Sequence, residues 1–94
     1  MAAITGASFP GGEHVTQTTP TAIDANDSRG CKSISLLSET SIVYWGYDDM
    51  TVGAKRRGYI GGGGSVSIPG PIRPDSLFVY GSLGNVIYWS AIPA

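Results

Sequence analysis

Hydrophobic and polar residues alternate with a period of two along much of this chain, which is the signature of strands. From Cys31 to Ser38 the alternation places Cys31, Ser33 and Ser35 on one face and Lys32, Ile34 and Leu36 on the other. Ser65 to Pro69 alternates in the same way, with Val66 and Ile68 on one side. Ile42-Val43-Tyr44-Trp45-Gly46-Tyr47 is the most strand-prone run by its β-branched and aromatic content. Its lack of polar alternation predicts burial on both faces, or one face buried and the other set against a partner. Leu77 to Gly81 and Val86 to Ile92 read as the last two strands. Ser82-Leu83-Gly84-Asn85 joins them, with Gly84-Asn85 supplying the positive φ angles of a tight hairpin. Near the start, HVTQT from His14, then Pro20, then TAID, predicts an edge strand or two short strands around a bend.

The interruptions are as informative as the runs. Residues 1–12 are small and close on Pro10, Gly11 and Gly12, so they read as a flexible N-terminal arm outside a domain over 13–94. Asn26 to Gly30 is a turn of short polar side chains that bond their own backbone. Asp48 to Gly58 is the longest polar connection, Gly61 to Gly64 a glycine loop, and Pro69 to Asp75 a proline-rich crossover whose three prolines donate no backbone hydrogen. About seven short strands with turns every 8–12 residues predict an all-β fold: one small antiparallel β-sandwich or jelly-roll-like barrel.

Composition narrows the function. The 94 residues include 14 Gly and 6 Pro, against a helical bundle, while 41 % hydrophobic residues and nine aromatics argue against disorder. Six Lys plus Arg against seven Asp plus Glu leave a net charge of -1, without the basic excess of a nucleic-acid binder. A chain of this size buries roughly 64 % of its unfolded surface, a thin margin that partner chains would widen. Cys31 is alone, so it forms no intrachain disulfide, and with His14 it falls short of a zinc site. The opening residues lack a charged n-region and apolar core, and no run approaches eighteen apolar residues. The expectation is a soluble chain, not exported through a secretory signal and not associated with membranes.

Catalytic constellations are thin. His14 and Cys31 are the only candidates for nucleophilic chemistry, and a buried cysteine with a histidine beside a flexible arm is the plainer reading. Asp48 and Asp49 are adjacent, and nothing in the spacing of Glu39 and Asp75 singles out an acid pair. Asp24, Asn26 and Asp27 offer oxygens for calcium but lack a calcium loop, and an Asx turn explains them. Gly61 to Gly64 run into a strand-like segment without the lysine of a phosphate loop. No enzyme, metal or cofactor is predicted. Lys55-Arg56-Arg57 reads as a solvated loop or an arginine-rich protein contact.

The aromatic load is heavier than a small core explains. Neighbours such as Tyr44 and Trp45, or Tyr88 and Trp89, cannot both face one core, so some must face a partner subunit or a ligand such as a sugar. The candidate interface residues are Phe9 on the arm, Tyr44, Trp45, Tyr47, Lys55, Arg56, Arg57, Tyr88 and Trp89.

From about Arg29 to Ile92, the order SRGCKSISL, SIVYWG, a loop, GGSVSIPG and DSLFVYGSLGNVIYWSAI resembles small β-sandwich virion proteins of tailed bacteriophages, often capsid decoration or cement proteins. The resemblance implies a structural protein on the outer surface of the capsid, made in the host cytoplasm. It implies a homotrimer clamping neighbouring major-capsid subunits, with the arm lying across one of them. Related sandwiches serve as neck, tail or head-fibre components. A module that adsorbs to a host surface glycan through Trp45, Tyr47 or Trp89 is the other expectation.

Overall fold

The alternating segments pair into two four-stranded antiparallel sheets packed face to face, in a computed structural model that describes residues 11–47 and 57–94. The strands are β1 (Gly11–Val15), β2 (Thr21–Ala22), β3 (Cys31–Ser38), β4 (Val43–Gly46), β5 (Gly58–Ile60), β6 (Ser65–Ile72), β7 (Phe78–Gly81) and β8 (Val86–Pro93). The first sheet has the order β1-β8-β3-β6 and the second β2-β7-β4-β5. The only helical piece among the described residues is one 3-10 turn at Pro74–Ser76.

Every second side chain of the long strands enters the space between the sheets. Ile34 and Leu36 of β3, Ile68 of β6, and Ile87, Trp89 and Ala91 of β8 come from the first sheet. Val43, Ile60 and Val79 meet them from the second, and Ile23 and Leu77, joined by a backbone hydrogen bond beside the β2–β7 pair, belong to the same core. Each such large side chain taken fully out of water contributes about 1.5–3 kcal/mol, so this single layer supplies most of the drive to fold.

Three details differ from the sequence reading. The alternation of β3 slips at a bulge between Cys31 and Ser33, where pairing to both neighbours shifts register. One inserted residue flips the faces beyond it, so Cys31 is buried on the same side as Ile34 and Leu36 while Lys32 is exposed. Next, Pro69, Gly70 and Pro71 belong to β6 rather than to a crossover. β6 is an edge strand, where a missing N–H faces outward and breaks no ladder. Gly70 lies over the bulge, and a Cβ there would sit 2.7 Å from the Lys32 carbonyl oxygen, so only glycine fits. Finally, Gly11 and Gly12, read as the end of the arm, are the first residues of β1 and pair with Ser90 and Trp89. The long β8 offers them a free edge, which outweighs the poor strand propensity of glycine. Residues 1–10 lie outside the described residues.

The start of the chain divides as the pattern predicts, into two short strands around a bend, but each forms an edge of a different sheet. His14 Nε2 and Thr21 Oγ1, 2.9 Å apart, tie those two edges together. The glycine loop turns the corner from β5 in the second sheet to β6 in the first. Gly63 has φ +76°, and the space beside Gly62 is filled by the Thr40 backbone.

Candidate functional site

The sandwich leaves two outer faces, and strand register fixes what each presents. On the first sheet, Ser67, Ser35 and Ser90 lie in one row across β6, β3 and β8. The next row sets Ser65, Leu37, Tyr88 and Glu13 side by side, and on the other flank Ser33 stands between Pro69 and Ile92. Val15, opposite Val86, completes this face. Val15, Leu37, Tyr88 and Ile92 are all exposed, Ile92 at 54 %. The surface sets large apolar groups among small hydroxyls and carries an open depression of its own, lined in part by Ser35, Leu37, Ser65, Tyr88 and Ser90. The Tyr88 hydroxyl donates to Glu39 Oε2 at 2.7 Å, and that bond with the adjacent negative charge holds the phenol above its ordinary pKa.

The second sheet presents tyrosine. Tyr59, Tyr44 and Tyr80 are directly opposite one another across β5, β4 and β7. Ring centroids are 6.2 Å apart for Tyr44 and Tyr59 and 5.2 Å for Tyr44 and Tyr80. Tyr59 is 68 % exposed and the other two are half-buried. Beyond Tyr80 the face dips into an open depression lined by Thr18, Ser41, Ile42, Tyr44, Tyr80, Gly81 and Ser82. The lining offers hydroxyls, rings and one aliphatic side chain, with no Asp, Glu, Lys, Arg or His among them.

Three loops build that depression, and one buried side chain holds them. Asn85 Oδ1 accepts from the backbone N–H of Thr40 at 3.1 Å and from its hydroxyl at 3.0 Å, and Asn85 Nδ2 donates to Ser38 Oγ at 2.9 Å. The Ser38 hydroxyl in turn donates to the Ser41 carbonyl. The Thr16 hydroxyl donates to the carbonyls of Ser82, at 2.6 Å, and Asn85, at 3.1 Å. Gly81 N–H to the Gln17 carbonyl, 2.9 Å, and Gly84 N–H to the Thr16 carbonyl, 3.1 Å, complete the clasp. No buried side-chain nitrogen or oxygen among the described residues lacks a partner. A fully satisfied buried network is rigid, so the loops are fixed before any ligand arrives. Asn85, read from the sequence as a hairpin residue, is the hub, while the positive φ belongs to Gly84, at +85°.

The sequence candidates separate accordingly. Trp89, 6 % exposed, points into the core and cannot meet a partner, whereas Tyr88 faces out. Trp45 also turns inward, packing against the core where Gly58 leaves room for its indole. Tyr44 is on the outer face, and Tyr47 is exposed at the end of β4, in edge contact with Trp45 and beneath the Arg57 guanidinium, 5.9 Å from its ring centre. Phe9, Lys55, Arg56, Asp48 and Asp49 lie outside the described residues. Tyr80 belongs to the aromatic load of the strands, but neither it nor Tyr59 is among the candidate interface residues, and cross-strand register is the signal that finds them.

The residues weighed for catalysis have structural partners. His14 is half-buried on Thr21, and burial holds its pKa below the ordinary 6.5 against the opposing pull of Asp24. Cys31 is fully buried, and burial raises its thiol pKa. Asp24 and Asp27 cap turns, accepting from the N–H groups of Asn26 and Arg29 at 3.0 Å each. Arg29 also pairs Asp27 at 2.7 Å and holds that carboxyl below its ordinary pKa. Asp75 bonds Arg73 at 3.0 Å. No group of three or more His, Cys, Asp or Glu among the described residues is placed to hold a metal ion, and no helix there is long and apolar enough to cross a membrane.

Compared with known protein families, curated proteins and solved structures, the chain matches none.

Proposed function

We propose that the chain is a non-enzymatic capsid decoration protein of a tailed bacteriophage, docking on major-capsid subunits at the outer surface of the head through the outer face of its first sheet. The observation that carries this reading is the set Val15, Leu37, Tyr88 and Ile92, exposed on one face among serines. Such a face suits a broad protein surface, because its apolar groups gain from leaving water and its small hydroxyls let another backbone approach closely. A partner that covers it stabilises the folded chain by mass action, which matters for a domain of this size. The resemblance of the strand and glycine order to small virion sandwiches supplies the identity of the surface. The engagement of His14 with Thr21 and the burial of Cys31 support a structural rather than a catalytic role.

Antibody raised against the chain and applied to intact particles of the virus that encodes it tests this reading. Labelling distributed over the whole head is expected. Label confined to the neck, tail or fibres, or absent from the particle, contradicts it.

A further inference from the structure

We infer that the depression beside Tyr44 and Tyr80 on the second sheet is a binding site for a neutral saccharide unit. The inference does not depend on capsid docking, which uses the opposite face of the sandwich.

The chemistry of the lining selects the ligand. Thr18, Ser41 and Ser82 contribute hydroxyls, Tyr44 and Tyr80 contribute rings, and Ile42 contributes an apolar wall. A phosphate, sulfate or carboxylate needs a cationic partner to repay its lost hydration, and these side chains supply none. A wholly apolar ligand would take water from the hydroxyls and return no hydrogen bonds. A pyranose answers both demands, with a C–H face to lie against an aromatic ring and hydroxyls that both donate and accept.

The site is also built in advance. The buried network around Asn85 uses the backbone carbonyls of Ser41 and Ser82, leaving the hydroxyls of those residues outside it. It fixes the three loops that carry Thr18, Ser41 and Ser82, so binding orders little chain, and preorganisation of this kind raises affinity by cutting the entropic cost. The row continues through Tyr44 to the exposed Tyr59, which gives a third ring, placed for the next sugar of an oligosaccharide.

The test is a glycan array of neutral, sialylated and sulfated oligosaccharides probed with the folded chain, followed by amide chemical-shift mapping with the best soluble hit. Binding restricted to neutral glycans is expected, with shifts centred on Thr18, Ser41, Ile42, Gly81 and Ser82. Ser82 is exposed, so Ser82→Arg fills the depression without touching the core and should abolish binding. Tyr80→Ala should weaken binding at least tenfold, and Ser67→Arg on the opposite sheet should leave it unchanged. No binding to any neutral glycan, binding only to charged ones, or neutral binding that survives Ser82→Arg would overturn the inference. An altered amide spectrum of free Tyr80→Ala would identify misfolding, and Ser82→Arg then decides alone.

Discussion

The two outer faces of this sandwich are made by the same alternation and present opposite chemistry. The first sheet sets Leu37, Tyr88, Ile92 and Val15 among serines on strands of five to eight residues, around an open depression beside Tyr88. The second sheet is built from strands of two to four residues, carries a tyrosine row, and ends in a depression closed by three loops. A face with dispersed, exposed aliphatic groups among small hydroxyls suits a large protein surface. One with convergent hydroxyls and rings suits a small ligand. In this account the chain sits on its first sheet and displays its second.

The largest effect should come from the clasp beneath the tyrosine face. Asn85→Ala removes the acceptor for two Thr40 donors and the donor to Ser38, leaving buried polar groups unpaired. A loss of about 2–3 kcal/mol is expected in chemical denaturation, together with any glycan binding; stability within 0.5 kcal/mol of wild type, roughly the size of a neutral surface change, would remove Asn85 as the hub. Gly70→Ala probes the edge of the other sheet, where the new methyl meets the carbonyls over the β3 bulge, and should cost roughly 1–3 kcal/mol.

Leu37→Asp with Ile92→Asp separates docking from folding. Both side chains are exposed, so the unfolding midpoint should hold while affinity for particles falls roughly tenfold or more; unchanged affinity would exclude this face.

A smaller effect is expected from pH. Burial keeps His14 below its ordinary pKa of 6.5, so the unfolded chain binds a proton at that position more readily than the folded one. Stability linked to this group is therefore complete above about pH 6.5 and declines as pH falls through the lower folded value. Thermal unfolding between pH 8 and 5 should show the decline, and His14→Gln should flatten it. Cys31 gives the mildest readout: with its thiol buried and its pKa raised, it should react with a thiol reagent only at the rate of unfolding. Rapid reaction in the native state would mean that the bulge opens on its own.

Much of the fold was legible because alternation is a local property. Val43, Ile34, Leu36, Val66 and Ile68 declare their strands, and the bend around Pro20 declares two short ones. What was not legible depends on neighbours distant in the chain. The slip at Cys31 is one residue long, and one residue reverses every face assignment. The prolines of β6 look incompatible with a strand until its edge position is known. Alternation requires that one of Tyr88 and Trp89 face outward, but only the β3 and β8 register, which pairs Leu37 with Tyr88 and Leu36 with Trp89, says which. Asn85 carries the composition of a turn, and its part in holding three loops exists only once those loops meet.

Tyrosine footprinting on intact particles, compared with the free chain, tests the central claim that one face docks while the other is displayed. Tyr88 should be modified in the free chain and protected on the particle, while Tyr59 should be modified equally in both. Protection of Tyr59 with Tyr88 still reactive, or no difference between the two residues, would contradict it.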